Sequence, residues 1–261
     1  MQLAKPKINL VLTRSVEQID ASIKIFDELG INVIPFPTIK FAAINVDEKI
    51  KTFFREKTHF DFLIFSSAQS VIYFSEFIKK ENFQFDNNLF ITIAIGKKTA
   101  TVCGEHNFKV DLIPTEATAK GIFYELFQNQ KSKKTVVIPR SAIGRDELIT
   151  ALKELEFRII EFPIYDVTLP DLETIDSNKN ILKETKIDWF AFTSPSTFEN
   201  FLKIMEIRNV ESFFVNYKIA AIGPTTKAAI KNYKIKVHFV PDEYNLESLA
   251  KGIINFDEEK K

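Results

Sequence analysis

Six short turns, rich in hydroxyl groups and small side chains, are the part of this sequence best suited to chemistry. Each follows an apolar run, and the turns occupy residues 13–15, 66–69, 95–97, 140–141, 193–196 and 223–226. Ligands of parallel α/β sheets bind beyond the carboxyl ends of the strands, where helix amino termini present free N–H groups. Any single serine or threonine in these turns is explained equally well as an ordinary helix cap. The convergence of so many turns predicts that they line a binding site.

Two arginines and two aspartates flank the same apolar runs. Arg14 and Arg140 follow predicted strands, where they could bind an anion or form a surface salt bridge, and the sequence leaves both alternatives open. Asp61 and Asp188 precede their strands and are therefore expected at the opposite edge. We expect these carboxylates to act as caps or hinge residues rather than as an acid–base pair.

The sequence lacks the usual signatures of nucleotide, metal and nucleophilic-serine chemistry. It contains no GxGxxG or P-loop pattern, no GxSxG turn, scattered histidines and a single cysteine, Cys103. We therefore expect no metal site, no disulfide and a reducing, cytoplasmic compartment. The 35 basic residues balance 35 acidic ones, so no overall field favours nucleic acid or an anionic membrane. No apolar stretch approaches the roughly 18 residues of a membrane-spanning helix.

Three segments of the chain each occur twice, in the same order and at an almost constant separation. The aligned landmarks are Arg14 with Arg140, Ser67 with Ser194, and Gly96 with Gly223. One extra residue between the first and second segments accounts for the small shift in separation. Three ordered matches of this kind are improbable by chance, so the sequence indicates an internal duplication.

Every repeated segment has one pattern, in which an apolar run and a short turn precede a stretch with helical periodicity. Residues 8–12 predict a buried parallel strand, and Ser15 a helix cap. In a later segment Ser194 or Ser196 can cap the next helix, and Pro195 suits its first turn. Alternating strands and helices predict an α/β fold of two similar doubly wound parallel-sheet lobes, of the flavodoxin or Rossmann type.

Proline-marked extended stretches follow both copies of the first segment and predict two crossings between the lobes. Lobe 1 is predicted to be discontinuous, with residues 1–37 and 178–261, and lobe 2 to span residues 51–162. Residues 38–50 and 163–177 are the predicted linkers. Because two crossings make a hinge, we expect the working site in the cleft between the lobes.

Several phrases of the sequence, in order along nearly the whole chain, resemble the uroporphyrinogen-III synthase family. They are VLTR (11–14), IPRSAIGRDELITALKE (138–154), FPIYDV (162–167), FTSPSTFENFL (192–202) and IAAIGPTTKAAI (219–230). The resemblance implies lobes joined by a two-stranded linker and a lyase that works without a cofactor. The implied substrate is hydroxymethylbilane, a linear tetrapyrrole with carboxylate side chains. Its ring D is inverted during cyclisation and water is lost, which gives uroporphyrinogen III for haem biosynthesis.

The same resemblance implies roles for individual residues. Tyr165 matches the phenol that the family places at the cleft, where it assists loss of the substrate hydroxyl as a proton donor or hydrogen-bond partner. A tyrosine that merely packs the linker is the alternative. The residues expected to position the substrate are Arg14, Ser66, Ser67, Gln69, Arg140, Ser194, Ser196, Thr225 and Thr226. We expect a monomer whose partner is this small molecule.

Other classes of protein share this architecture. Two α/β lobes with two crossings also suit a hinged binding or sensor protein that closes on a small molecule without catalysis. A two-lobed glycosyltransferase is a second enzymatic alternative, but such enzymes are usually longer. The sequence also shows no acidic or glycine-rich nucleotide-sugar signature.

Overall fold

Strands and helices alternate along the chain, as the repeated segments predict. The computed structural model describes residues 8–56, 59–84, 86–115, 134–144 and 147–259. Its strands are β1 (Asn9–Thr13), β2 (Asn32–Pro35), β3 (Lys40–Ala43), β4 (Phe62–Phe65), β5 (Ile91–Ala94), β6 (Thr135–Ser141), β7 (Arg158–Thr168), β8 (Trp189–Phe192) and β9 (Lys218–Ala221). Its helices are α1 (Val16–Glu28), α2 (Glu48–Arg55), α3 (Ala68–Glu81), α4 (Lys97–Glu105), α5 (Glu147–Glu154), α6 (Leu172–Glu184), α7 (Pro195–Ile204), α8 (Val210–Phe214), α9 (Pro224–Lys231) and α10 (Leu246–Glu258).

The chain divides into two units. The first comprises Met1–Phe41 and Thr168–Lys261, and the second comprises Ala42–Val167. Both passages between the units fall inside the segments 38–50 and 163–177 that the sequence assigns to linkers. Regular structure nevertheless reaches into both segments, since α2 begins at Glu48, β7 continues to Thr168 and α6 begins at Leu172.

The first unit contains a parallel sheet with the strand order β2-β1-β8-β9. Successive residues of each strand point to opposite faces. Val11 and Phe190 therefore join a core covered by α6, α7, α8 and α9, whereas Leu10 and Trp189 join a second core covered by α1 and α10. Helices on both faces make this sheet doubly wound.

The second unit contains a sheet with the order β3-β7-β6-β4-β5, of which β7, β6, β4 and β5 are mutually parallel. One face packs against α5. On the other face Phe74 of α3 is the centre of an aromatic cluster, with ring centroids within 6 Å of Phe54, Phe65, Phe108 and Phe162. This sheet is also covered on both faces.

The two units repeat one topology, and the predicted fold class is confirmed. The order β2-β1-β8-β9 of the first unit matches β7-β6-β4-β5 of the second. Each sheet thus combines two strands of one copy with two strands of the other copy. The strands β3 and β7, which contain the passages between the units, are neighbours in the second sheet.

Asp61 and Asp188 have a different role from the one expected. Asp188 Oδ2 accepts a hydrogen bond from the backbone N–H of Asn9 at 2.9 Å, and Asp61 Oδ2 accepts one from Thr135 N–H at 2.8 Å. Each carboxylate bridges the start of one strand to the start of its neighbour. The prediction of caps or hinge residues was wrong because spacing along the chain does not show which strands become neighbours.

Two helix starts follow the repeat closely. Ser194 Oγ accepts a hydrogen bond from Thr197 N–H at 3.1 Å, and Thr197 Oγ1 accepts one from Ser194 N–H, which completes a capping box. Ser67 and Ser70 form the same box at the start of α3. Ser15 occupies the cap position of α1, but its buried hydroxyl makes no capping hydrogen bond. The predicted cap position of Ser15 is therefore confirmed, but its side chain does not supply the capping hydrogen bond.

Asp171 caps α6 and gives the first unit a component of stability that depends on pH. Its Oδ1 accepts a hydrogen bond from Thr174 N–H at 2.9 Å, and this bond, aided by Lys40, lowers the pKa of Asp171 to about 2. A depressed folded-state pKa stabilises the protein above the ordinary value of 3.8, and this stabilisation is lost as the pH falls toward about 2.

We therefore expect Asp171→Ala to lower the thermal midpoint near neutral pH. The gap from wild type is expected to shrink between about pH 4 and about pH 2. Asp171→Asn keeps a capping oxygen without the charge and is the control. Calorimetry at several pH values measures the effect, and a gap that does not change with pH would exclude the charge as its cause.

Candidate functional site

Each unit has a point at which neighbouring strands lead to helices on opposite faces of the sheet. In the first unit β1 leads to α1 on one face, whereas β8 leads to α7 on the other. In the second unit β6 leads to α5 and β4 leads to α3, again on opposite faces. Such a switch point opens a crevice at the carboxyl ends of the strands, where ligands of this fold class bind. Arg14 and Ser194 lie at the first switch point, and Arg140 and Ser67 at the second.

A tyrosine hydroxyl meets a serine hydroxyl at the second switch point. Tyr165 OH and Ser67 Oγ lie 3.1 Å apart, and Ser67 Oγ also accepts a hydrogen bond from Ser70 N–H at 3.1 Å. Tyr165 is 6% exposed, and its ring stacks on Tyr73 with centroids 5.2 Å apart and planes 14° apart. The phenol is therefore held at its tip by a capping residue and along its face by a second aromatic ring.

The surroundings of Tyr165 keep its hydroxyl protonated. Burial raises the pKa of Tyr165 above its ordinary value of 10, while the hydrogen bond to Ser67 and the charge of Arg140 act in the opposite direction. The phenol is neutral at neutral pH and keeps a proton to donate. Arg140 would stabilise the phenolate that remains after the proton is given away.

Arg140 is fixed by an ion pair. Its Nη1 lies 3.2 Å from Glu161 Oε2, and the other oxygen of Glu161 lies 2.9 Å from Lys153 Nζ. A Cβ added to Gly144 would lie 2.8 Å from Arg140 Nη2, so the absence of a side chain there lets the loop pass beside the guanidinium. Arg140 thus forms a salt bridge, although it is buried rather than on the surface, and its role in binding an anion stays a prediction.

Arg14, the matching arginine of the first unit, has different surroundings. Its Nε is buried and has no hydrogen-bond partner among the residues that the structure describes. Burial lowers the pKa of Arg14. The repeat places Pro35 where the second unit has Glu161, so the first unit lacks the carboxylate that pairs with Arg140. Arg14 is thus half-buried, and the neighbouring strand β2 offers no carboxylate to neutralise its charge.

Hydroxyl groups tie together the ends of the central strands in the first unit. Thr193 Oγ1 donates to the Thr13 carbonyl at 2.9 Å, and Thr13 Oγ1 donates to the Ala191 carbonyl at 3.1 Å. Ser194 and Ser196 place their hydroxyl oxygens 3.0 Å apart, and Ser196 is exposed. These contacts fix the loop after β8 and leave a hydroxyl open to solvent.

The helix α9 begins at the end of the neighbouring strand β9. Gly223 is its cap residue and Pro224 its first residue, and no side chain caps the free N–H groups of this turn. Thr225 is exposed here and Thr226 is buried. Uncapped N–H groups beside an exposed hydroxyl are suited to an anionic ligand group such as a carboxylate.

Comparison with known proteins identifies the family of this chain. A family model described as uroporphyrinogen-III synthase HemD matches residues 20–251. The chain belongs to the uroporphyrinogen-III synthase family. The resemblance inferred from the sequence phrases is thereby confirmed.

Several relatives match over almost their whole lengths. A uroporphyrinogen-III synthase of Chlorobaculum parvum is 26% identical over 249 residues, which cover 94% of this chain and 97% of the relative. A putative uroporphyrinogen-III synthase of Methanocaldococcus jannaschii is 27% identical over 250 residues, with 94% and 98% covered. A full-length match of this kind places the whole chain, rather than one unit, within the uroporphyrinogen-III synthase family.

Solved structures of uroporphyrinogen-III synthases share the fold. The enzyme of Thermus thermophilus, as a mutant, matches with a TM-score of 0.66 and 18% identity over 96% of this chain and 99% of its own. The Helicobacter pylori enzyme matches with a TM-score of 0.62 and 19% identity, covering 97% and 100%. At these identities the likeness supports the fold alone.

The structure places all ten residues proposed for a uroporphyrinogen-III synthase site in the strands, in the turns that follow them or in the first turns of the next helices. It joins Ser67 to Tyr165 and Ser194 to Ser196 by hydrogen bonds. Gln69 is buried in the first turn of α3, and Ser66 is exposed just before that helix. Whether these residues bind substrate stays a prediction.

Sequence reasoning missed two residues that shape this site. Tyr73 lies four positions after Gln69 on α3, a spacing that places both on one helix face, so a helical projection from Gln69 could have found it. Glu161 lies inside β7, and nothing in the sequence marks it as the partner of Arg140.

Two further features bear on the type of chemistry. Cys103 of α4 is fully buried, and burial raises the pKa of its thiol to about 12, so it is protonated at neutral pH and unsuited to act as a nucleophile. Within the described residues, no cluster of three or more histidine, cysteine, aspartate or glutamate side chains is placed to hold a metal ion.

None of the described helices has both the length and the apolar character needed to cross a membrane.

Proposed function

We propose that the protein is a uroporphyrinogen-III synthase, a lyase that cyclises hydroxymethylbilane with inversion of ring D and loss of water. The observation that carries the proposal is the buried, protonated phenol of Tyr165, bound to Ser67 at the second switch point and influenced by the charge of Arg140. A terminal hydroxyl leaves as water only when it gains a proton, and this phenol is a suitable donor. Family membership supplies the identity of the reaction.

Tyr165 is the proposed catalytic residue. Its hydroxyl donates a proton to the departing hydroxyl of the bilane, which leaves as water with the electron pair of its C–O bond and gives an azafulvenium cation. The Ser67 hydroxyl and the guanidinium of Arg140 favour the phenolate in the moment after transfer, since both lower the pKa of Tyr165. The phenol recovers its proton when the closed ring loses one, so the protein returns to its starting state.

Arg14 is the strongest candidate for binding a carboxylate of the substrate. A half-buried guanidinium whose Nε has no hydrogen-bond partner among the described residues is costly to the folded protein and is well suited to a charged ligand. The exposed first turn of α9 offers N–H and hydroxyl donors for a further carboxylate. The full set proposed to position the substrate is Arg14, Ser66, Ser67, Gln69, Arg140, Ser194, Ser196, Thr225 and Thr226.

The proposed reaction needs no cofactor, because its reactive groups belong to the substrate. Loss of the hydroxyl gives an electrophile that the far pyrrole attacks through a spiro intermediate. The protein's main task is to fold a flexible chain so that the correct carbon attacks, which is a matter of orientation. We further propose that the protein works as a cytoplasmic monomer whose two units are the lobes predicted from the sequence.

Turnover distinguishes this enzyme from a hinged binding or sensor protein. With freshly prepared hydroxymethylbilane in large excess over protein, we expect the bilane to be consumed faster than in a protein-free control through many cycles. Spectroscopic detection of the ring formed after mild oxidation follows the reaction. A rate equal to that of the control would reject catalysis, and loss of one equivalent only would support the binding alternative.

A further inference from the structure

We propose that Tyr73 is a positioning residue that holds the ring of Tyr165 so that its hydroxyl stays on Ser67. This inference rests on the proposed function, in which Tyr165 is the proton donor. It concerns contacts inside the second unit alone. Tyr73 itself is assigned no contact with the substrate.

The stacked pair is the direct observation. The ring centroids of Tyr73 and Tyr165 lie 5.2 Å apart with planes inclined by 14°. Tyr165 lies on β7, and its hydroxyl is 3.1 Å from Ser67 Oγ at the start of α3. Tyr73 lies on the same helix. One helix therefore contacts Tyr165 at two places, at the hydroxyl through its cap and at the ring face through its second turn. Two contacts restrain both the ring plane and its rotation about the Cβ–Cγ bond.

The internal duplication supplies a comparison within the same chain. The position that matches Tyr73 in the first unit is Asn200, and the position that matches Tyr165 is Ile39. Asn200 Nδ2 donates a hydrogen bond to the carbonyl of Thr38, the residue before Ile39, at 3.1 Å. The equivalent helices, α3 and α7, thus contact equivalent segments of the chain in the two units. Only the second unit uses two aromatic rings there, and only there does the strand carry a phenol.

The Tyr73 ring borders a cavity that would grow if the ring were removed. A cavity of about 110 Å³ is lined by Tyr73 together with Ile164, the residue before Tyr165, and by Ile44 and Phe77. If the Tyr73 ring were trimmed, this space would enlarge on the side where the Tyr165 ring now finds its stacking partner. The Tyr165 ring would then adopt more than one orientation, and the fraction with its hydroxyl on Ser67 would fall.

Two substitutions separate stacking from the Tyr73 hydroxyl. Tyr73→Phe keeps the ring, so we expect kcat and KM within about twofold of wild type. Tyr73→Leu removes the ring, and we expect kcat to fall about tenfold with KM within about twofold, because misorientation of a catalytic group affects the transition state more than binding. Tyr233→Leu is the control, since Tyr233 is 39% exposed and packs on Phe198 in the first unit, remote in sequence from Tyr165.

A spectroscopic readout separates positioning from a general loss of stability. With tyrosine labelled by ¹³C at Cζ and the Tyr165 signal assigned by Tyr165→Phe, the environment of the Tyr165 hydroxyl is followed directly. We expect one sharp Tyr165 signal in the wild type, in Tyr73→Phe and in Tyr233→Leu. In Tyr73→Leu the signal should shift and broaden or split, because the hydroxyl then spends less time within hydrogen-bond distance of Ser67.

The possible outcomes are distinct. An unchanged kcat in Tyr73→Leu, or an equal loss of kcat in Tyr73→Phe, would overturn the inference. The Tyr165 signal needs no substrate, so it also tests the inference if the wild-type protein proves inactive toward the bilane. In that case an unchanged Tyr165 signal in Tyr73→Leu would reject positioning. A shifted and broadened or split signal would support positioning even though the proposed function had failed.

Discussion

Replacing Tyr165 with phenylalanine is expected to lower kcat by about 10²-fold, the smaller end of the usual range for losing a general acid. The substitution removes the hydroxyl that lies 3.1 Å from Ser67 Oγ and keeps the ring that stacks on Tyr73. Ser67 still accepts the hydrogen bond from Ser70, so α3 keeps its cap. We therefore expect the free energy of unfolding to change by only about 1 kcal/mol.

Single-turnover experiments measure this effect, because they report the chemical step without product release. Tyr217→Phe is the control, since this tyrosine packs on Phe190 in the first unit and has no proposed role in catalysis. If Tyr165→Phe turned over at the wild-type rate, Tyr165 would be a packing residue of β7, the alternative that the sequence left open.

Replacing Arg14 with methionine is expected to weaken the enzyme and stabilise the fold at the same time. The guanidinium Nε is buried without a hydrogen-bond partner in the described part of the chain, and burial lowers the pKa of Arg14. Methionine fills similar space without the cost of a buried charge, so the thermal midpoint should rise. If Arg14 binds a substrate carboxylate, losing a charged hydrogen bond should raise KM by about 10- to 100-fold.

Arg140→Met is the matched control for the effect on stability. Arg140 is paired with Glu161, so its removal leaves a half-buried carboxylate with Lys153 as its remaining cation. We expect a loss of about 1–3 kcal/mol in the free energy of unfolding, opposite in sign to the effect of Arg14→Met. Substrate titrations and thermal melts of both variants test the pair. A lower midpoint with unchanged KM in Arg14→Met would assign Arg14 to the fold.

The topology was predictable because the sequence itself shows both the repeated segments and the periodicity of the helices and strands. Ser194 was one of the two caps that the sequence offered, with Ser196, and the repeat extends it to the matching Ser67, since a capping box involves only residues three positions apart. Where the contacts of a hydroxyl depend on distant packing, the sequence predicted the cap position but not its hydrogen bond. Ser15 has the right residue type and position, yet its hydroxyl is buried and makes no capping bond.

The end of β7 shows that a proline does not always end a strand. Pro163 marked the start of a linker in the sequence, but β7 continues through it to Thr168. Pro163 pairs with Arg140, and the register shifts between Arg140 and Ser141, so that Ser141 pairs with Tyr165. This irregularity accommodates a residue that cannot donate a ladder hydrogen bond.

The contacts within the candidate site were the least predictable part. The stacking of Tyr73 on Tyr165 joins a helix to a strand that is far away in sequence, and the pairing of Arg140 with Glu161 joins neighbouring strands. Such contacts depend on tertiary register, which one sequence does not display. The duplication partly replaces that information, because comparing Glu161 with Pro35 shows why the two arginines differ.

The isomer formed from hydroxymethylbilane tests the central claim most directly. Without an enzyme the bilane closes to the type I ring, whereas the proposed inversion of ring D gives the type III ring. Purified protein and fresh bilane, with the products oxidised and separated by chromatography, are sufficient for the measurement. We predict mainly the type III ring for the wild-type protein. Exclusive formation of the type I ring at the protein-free rate would contradict the proposed function.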